Sequence, residues 1–548
     1  MRRFLLRAGM WFYRNRHWRP VEHLTHRSAA AQHDVLQRLL HANRDTGFGV
    51  QHGFKNIRSD AQFREQVPVQ TYETLRPYIE EQRLKGTRAL TAEAPLFYAQ
   101  TSGTTGKPKY IPITPTALAM YRAEQALFSY LQFRACPQAF TGKALGIMGA
   151  AIEGRLDSGH EVGSVSGHLY QSLPSIIQSR FVVPPAVSDI ADYEIKYLVI
   201  LRLALAENNI TYLGSPNPST FLRLSDLMNQ KRKTLMHSLE TGQLDALDGL
   251  DAPLRTTIAQ RLKPASERAA QLRAKSTLTF ANVWPSIRLL TTWTGGSCGI
   301  ALNTLRKQLP SSAITMELGY QSSECRGTIA LQAETAAGLP PLHHHFFEFV
   351  EQASWENVKP EFLTLDQLEL GKRYYILITT VAGLYRYFMN DLLEVTEFFH
   401  RTPLLRFIQK GKGVTNLTGE KLYEIQVIDA VQATISRLNL VSNFFLMVAD
   451  EEISAYRLFI ELDTSISADV RITAADIDQR LGELNIEYFA KRASNRLAPL
   501  TLAWLKRGTA EAYKSACVRA GQREGQFKPV VLQYRKSLAL SLDEYVVR

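Results

Sequence analysis

Hydrophobic and polar positions along the chain alternate between a helical and a strand period. From Ala29 to Phe63 the apolar residues recur at helical spacing, with Val35, Leu36, Leu39 and Leu40 on one side, and Thr46 to Phe54 then supplies a glycine-rich turn. Between Pro95 and Leu145 a short apolar stretch, a glycine-rich loop, a second short strand at Tyr110 to Ile113 and a long helical pattern succeed one another. Ile195 to Ala206 predicts a helix, Thr211 to Gly214 a buried strand end, and Ser219 to Met228 a further helix. Ile287 to Thr294, Ala301 to Gln308 and Ile314 to Leu318 repeat the order strand, helix, strand, and Phe346 to Val350 and Arg373 to Thr380 turn to β-rich alternation. Element types that alternate in this way predict an α/β fold of layered sheets and helices, with ligands bound by loops at the strand ends.

At 548 residues the chain is longer than one growing core accommodates, so at least two domains are expected. The composition shifts at Gln409 to Thr418, where Lys410, Gly411, Lys412 and Gly413 interrupt the pattern. This predicts a large N-terminal domain over residues 1–409, a hinge at 410–418 and a small mobile α+β C-terminal domain over 419–548. Within the last, Leu422 to Leu438 and Ala474 to Leu484 read as helices, Asn443 to Val448 and Tyr456 to Glu461 as strands.

Composition changes little: 45% hydrophobic and 21% charged residues are ordinary for a water-soluble globular protein. The formal charge of +12 is less even, because Arg2, Arg3, Arg7, Arg14, Arg16, Arg19 and Arg27 face only Glu22 at the start of the chain. No helix-turn-helix, zinc-finger or aromatic RNA-binding signature accompanies them, so no nucleic-acid partner is expected. Phe4, Leu5, Leu6, Met10, Trp11, Phe12 and Trp18 interleave with these arginines and suit packing on the main domain better than an anionic membrane surface. No apolar run reaches the roughly 18 residues of a membrane span, and Arg7 and Arg14 break the only signal-like stretch, so the expectation is a cytoplasmic protein without integral membrane association. Cys136, Cys298, Cys325 and Cys517 lie too far apart for a paired zinc or disulfide spacing and read as reduced thiols.

Candidate chemistry centres on Thr101-Ser102-Gly103-Thr104-Thr105-Gly106-Lys107-Pro108-Lys109. Glycines let backbone amides approach a polyphosphate, hydroxyls add donors, and lysines add charge. A Walker A loop spaces its glycines by four residues and ends Gly-Lys-Ser/Thr, which this stretch does not. A plain surface turn is the alternative, made the weaker one by the length of the pattern and its closing Pro-Lys. His343-His344-His345 invites a metal reading, but consecutive strand residues point to opposite faces, and loop or strand-edge residues are the better description.

The loop resembles the signature with which the adenylate-forming superfamily grips the phosphates of ATP. Two further stretches, Met316-Glu317-Leu318-Gly319-Tyr320-Gln321-Ser322-Ser323-Glu324 and Gly383-Leu384-Tyr385-Arg386-Tyr387-Phe388-Met389-Asn390-Asp391, resemble the auxin-responsive acyl-acid amido synthetases. Thr294-Gly295-Gly296-Ser297, Val67-Pro68-Val69 with Tyr72-Glu73, Phe347-Glu348-Phe349 and Gln526-Phe527-Lys528 are similar as well, so the likeness runs through the chain. Phe388 stands where a basic residue is often found, and Asn390 where glycine usually precedes the aspartate; Asn tolerates a left-handed backbone nearly as well.

The resemblance implies an ATP- and Mg²⁺-dependent ligase that adenylates a carboxylic acid and passes the acyl group to an amine, in particular an amino acid. It implies that Thr101, Ser102, Gly103, Thr104, Thr105, Gly106 and Lys109 hold phosphates, and that Gly296, Gln321 and Ser322 line the nucleotide site. By the same resemblance Glu324 is the Mg²⁺ ligand and Lys528 the catalytic lysine that reaches in from the small domain. Tyr320 offers a flat ring to adenine, and Asp391 can accept from both ribose hydroxyls. An acyl-CoA ligase and a non-catalytic nucleotide-binding module remain as alternatives. The acid would be lined by side chains after Leu118 and around Tyr212 to Pro216.

Overall fold

The computed structural model describes residues 2–101, 108–295, 298–355, 360–411, 413–437, 442–462, 474–519 and 530–547. The chain divides into two compact units, Met1–Gln100 with Tyr110–Gln409, and Thr101–Lys109 with Lys410–Arg548.

In the first unit, Leu289 and Leu290 are neighbours that face opposite ways, and a two-sided layer follows from that alternation. Four strands, Lys143–Gly146, Ile210–Gly214, Leu289–Thr292 and Ile314–Glu317, lie side by side in this order, each parallel to the next. Leu145, Leu213 and Leu290 pack with Val199 of helix Tyr193–Ala206 and Phe221 and Leu224 of helix Ser219–Gln230. Leu289 and Met316 pack on the other side, with Leu127, Phe128 and Leu131 of helix Pro115–Ala135. Covered on both faces, the strands can be apolar almost throughout. The helix starts where Thr114 accepts a hydrogen bond from the amide of Ala117, with Pro115 in its first turn.

Met10, Trp18 and Val21 of the basic N-terminal segment join this second cluster, and the Arg134 guanidinium lies 4.9 Å over the Trp18 ring. Trp11 and Phe12 point to solvent. Packing therefore accounts for one side of that segment.

A second, six-stranded sheet runs Phe346–Glu351, Arg373–Thr379, Tyr387–Phe399, Thr402–Lys410, Gly338–Leu339 and Ile329–Ala330. The pairing of its second and third strands slips. Tyr375 faces Leu392 but Leu377 faces Phe388, so Met389, Asn390 and Asp391 together stand opposite Ile376. Asn390 has φ +52°, the left-handed conformation anticipated for it, and the chain bulges there. The Phe388 ring stacks on Trp355 at 4.2 Å between centroids and 11° between planes, which gives this departure a packing partner.

Arg386, the basic residue of the Tyr-Arg-Tyr stretch, is a structural clamp. Its Nε donates to Glu348 Oε2 at 2.9 Å and its Nη1 to the carbonyls of Val67 and Arg64 at 2.8 and 3.1 Å. Arg64 Nε donates to the other Glu348 oxygen at 3.1 Å. Both Arg386 and Glu348 are buried, so the carboxylate pins the segment after Arg64 onto the sheet.

A third sheet holds the strands Phe97–Thr101 and Lys109–Ile113 on either side of the glycine-rich loop. Among the described residues no helix is long and apolar enough to cross a membrane. The four cysteines form no disulfide; Cys298 is half-buried and the others are buried.

The second unit is built on strands Thr501–Trp504, Ala455–Leu462, Ser442–Asp450 and Leu532–Tyr534, in that order. Met447 and Ala449 face helices Glu424–Arg437 and Ala474–Leu484, while Phe444, Leu446 and Val448 face helix Thr509–Arg519. The helix expected from Leu422 begins at Glu424, because Leu422 and Tyr423 first pair with Thr415 and Val414. Glu420 is buried and accepts from the amides of Leu417 and Thr418 and from the Tyr456 hydroxyl, which fixes the turn before that helix.

Candidate functional site

The loops that leave Leu289–Thr292 and Ile314–Glu317 emerge at the C-terminal ends of adjacent parallel strands, where open α/β sheets place ligands. Glu317 ties the two loops together. One of its oxygens accepts from the Thr294 amide and hydroxyl at 2.6 and 2.5 Å, the other from the Gly319 amide at 3.0 Å. Burial, larger than the opposing effect of these hydrogen bonds, raises its carboxyl above the usual range. The Trp293 indole N–H donates to the Gly319 carbonyl at 3.1 Å and closes the link. Gly319 itself has φ +98°, and a Cβ there would lie 2.2 Å from the Thr328 carbonyl oxygen, so only glycine suits the turn.

Tyr320 follows. Its amide donates to the Thr328 hydroxyl at 2.8 Å and its carbonyl accepts from Gly327 and Thr328. Its hydroxyl donates to Asp391 Oδ2 at 2.5 Å, joining a loop of the parallel sheet to the bulge of the antiparallel one. Burial, and after it the Asp391 carboxylate, drive the phenol well above its usual pKa; Glu324 adds to the same effect. The ring lies parallel to Phe407, with planes 5° apart and centroids 5.8 Å apart. A Cβ on Gly327 would come within 2.3 Å of it. Gly327→Ala is accordingly expected to push the ring off its seat, loosen the bond to Asp391 and cost about 1–3 kcal/mol of stability. Urea denaturation checks this, and an unchanged midpoint would refute it.

Gln321 and Ser322 shape the turn that carries Glu324. Gln321 Nε2 donates to the Leu318 carbonyl at 3.0 Å, and Ser322 Oγ accepts from the amides of Glu324 and Cys325 at 3.2 and 3.4 Å. Glu324 is buried, and its charge acts on both Tyr320 and Tyr121. The first unit thus brings Tyr320, Gln321, Ser322, Glu324 and Asp391 into one neighbourhood. Thr101 and Lys109 end the strands that flank the glycine-rich loop, both buried, and Lys109 Nζ lies 5.5 Å over the Tyr423 ring. Ser102, Gly103, Thr104, Thr105 and Gly106, with Gly296 and Lys528, lie outside the described residues.

Three contributors escaped the sequence reading. Glu317 sat inside a quoted motif without a role of its own. Thr328 and Phe407 support Tyr320 from positions that no spacing in the sequence connects to it.

Family models match three successive stretches of the chain: the GH3 family N-terminal domain over residues 18–314, the central domain over 339–410 and the C-terminal domain over 425–536. Among curated relatives, an indole-3-acetic acid-amido synthetase of Oryza sativa subsp. indica, GH3.8, is 25% identical over 544 residues, covering 93% of this chain and 89% of its own. The Arabidopsis thaliana indole-3-acetic acid-amido synthetase GH3.15 is 26% identical over 438 residues, 75% of this chain and 73% of its own. The solved structure of the AtGH3.15 acyl acid amido synthetase in complex with 2,4-DB superposes with a TM-score of 0.66 at 22% identity, over 96% of this chain and 95% of that one. The fold is therefore the one expected, and with its three models matched in order the chain belongs to the GH3 family.

Proposed function

We propose that the chain is an ATP-dependent acyl-acid amido synthetase. The observation that carries the reading is the 2.5 Å bond from Tyr320 to Asp391, which holds a buried carboxylate beside the loop of Glu324 at the ligand-binding end of a parallel sheet. In the first step an oxygen of the substrate carboxylate attacks the α-phosphorus of ATP, and pyrophosphate leaves. In the second an amine nitrogen attacks the acyl carbon of the adenylate, loses a proton and displaces AMP. Both steps gain most from positioning and from charge stabilisation.

Asp391 accepts from the ribose hydroxyls, Tyr320 fixes that carboxylate and borders the adenine, and residues Thr101 to Gly106 with Lys109 surround the phosphates. Gly296, Gln321 and Ser322 complete the nucleotide loops. Glu324 fits Mg²⁺ as a single carboxylate, since this ion is commonly held by one or two carboxylates with phosphate oxygens supplying the remainder. Bound there, the ion would offset phosphate charge. Lys528 stabilises the charge that builds at the α-phosphate, and residues 410–418 act as the hinge between a large domain, 1–409, and a small one, 419–548. The site works in the cytoplasm, on a carboxylic acid and an amino acid.

The test is a screen of carboxylic acids for acid-dependent exchange of labelled pyrophosphate into ATP, followed by AMP formation with an amino-acid mixture or with coenzyme A. Exchange with some acid, and AMP release accelerated by amino acids, is the expected result. Acceleration by coenzyme A alone would make the enzyme an acyl-CoA ligase. ATP binding without exchange for any acid would make it a nucleotide-binding module.

A further inference from the structure

One face of helix Pro115–Ala135 carries Tyr121, Glu124, Phe128 and Gln132, spaced so that they form a continuous stripe. Polar groups from four distant segments close on it. The Arg326 guanidinium lies 4.7 Å over the Phe128 ring, His344 Nδ1 sits 2.7 Å from Glu124 Oε1, and His345 Nε2 is 3.8 Å from the same oxygen. Gln132 Nε2 donates to the hydroxyls of Tyr212 and Thr291 at 3.1 and 2.9 Å, on strands of the parallel sheet.

The exposures of Glu124, Arg326, His345 and His344 are 1%, 5%, 5% and 8%. Within that burial Glu124 Oε2, Arg326 Nε and both ring nitrogens of His345 have no hydrogen-bond partner among the described residues. Buried polar atoms are almost always paired, and each one left unmatched costs about 1–3 kcal/mol. A cluster of four such atoms calls for a polar partner that the described residues do not supply. Arg326 follows Glu324 on the same loop, and the Tyr121 phenol feels both Glu124 and Glu324, so the cluster adjoins the nucleotide site proposed above.

The donor and acceptor pattern selects the entrant. Arg326 Nε–H only donates, and His345, which burial keeps neutral, offers one nitrogen of each kind. Burial raises the Glu124 carboxyl to about 7, so its oxygen accepts when ionised and donates when protonated. A hydrocarbon would leave all of them unmatched. A carbonyl or a second carboxylate, which only accept, would leave the acceptor nitrogen of His345 unmatched; an ammonium only donates and would meet a guanidinium. A hydroxyl donates one hydrogen bond and accepts others. We propose that the acid activated by this enzyme carries a hydroxyl group on its acyl portion, seated between Glu124, Arg326 and His345. This rests on the ligase reading given above and specifies its substrate class.

A site built to hydrogen-bond a hydroxyl discriminates strongly against the analogue that lacks it. Matched pairs, such as hydroxybenzoate with benzoate and 3-hydroxyalkanoate with alkanoate, should be compared with the wild-type chain in pyrophosphate exchange and in thermal shift without ATP. The hydroxylated member of at least one pair is expected to be favoured by about tenfold or more in kcat/KM and to give the larger shift. Glu124→Gln, which keeps the side-chain shape, and Arg326→Met should reduce that preference to about threefold or less while the KM for ATP stays within about twofold. Equal or better use of every unhydroxylated acid would overturn the proposal and leave ordered water as the occupant. No exchange from any acid, together with a hydroxyl-dependent shift, would overturn the ligase reading alone; no exchange and no such shift would overturn both.

Discussion

Asp391→Asn is expected to lower kcat/KM for ATP about 100-fold, the largest single effect on activity predicted here. The exchange of one carboxylate oxygen for an amide keeps the shape of the bulge but removes a charged acceptor that the Tyr320 hydroxyl already orients. Hydrogen bonds to a charged group are worth about 1.5–3 kcal/mol each, and weakening the two contacts proposed between this carboxylate and the ribose would reach this magnitude. The control is 2′-deoxy-ATP. The wild-type chain should discriminate against it, and the variant should do so far less. If Asp391→Asn retained more than half the wild-type kcat/KM, the ribose role would be abandoned.

The largest effect on stability is expected from Glu348→Ala. This carboxylate is buried and receives Nε–H donors from both Arg386 and Arg64, at 2.9 and 3.1 Å. Its removal leaves an uncompensated buried guanidinium, and breaking a buried pair from one side costs about 3–5 kcal/mol. Urea denaturation should show the loss as a lower midpoint at unchanged slope. Glu348→Gln keeps two acceptor or donor positions and should cost less. A midpoint for Glu348→Ala equal to that of the wild type would show that the clamp contributes nothing.

These two positions also mark what the sequence could and could not reveal. The parallel strands at Thr211 to Gly214 and Ile314 to Leu318 were legible because a layer covered on both faces writes continuous apolar runs, and so were the helices at Ser219 to Met228 and Ala301 to Gln308, whereas Arg232–Thr241, Ala252–Ala259, Ser266–Arg273 and Phe280–Val283 between them were not. The hairpin of Tyr387–Phe399 and Thr402–Lys410 was not. Its first strand mixes polar and apolar residues without clean alternation, because Met389 to Asp391 oppose a single residue of the partner strand. Such a slip depends on the pairing, which one strand read alone does not contain.

Motif residues divided similarly. Tyr320 and Asp391 were named as candidates from their types and positions, yet their direct bond across the first unit is a product of tertiary packing. Arg386, in the middle of a motif, turns inward to hold the fold. The histidines at 343–345 were expected at a loop or strand edge. They do precede strand Phe346–Glu351, but His344 and His345 are buried against Glu124, a residue whose importance no local pattern announced.

The three-against-one arrangement opposite Ile376 has a consequence for how this protein can vary. Side chains on a strand alternate between faces, so loss or gain of one residue there would turn the acid at 391 towards the other surface. Length at that point is then under tighter constraint than identity: evolution, or an engineer recombining segments between homologues, can exchange the amino acids around the acid but cannot add or delete one without turning the acid away from the Tyr320 hydroxyl.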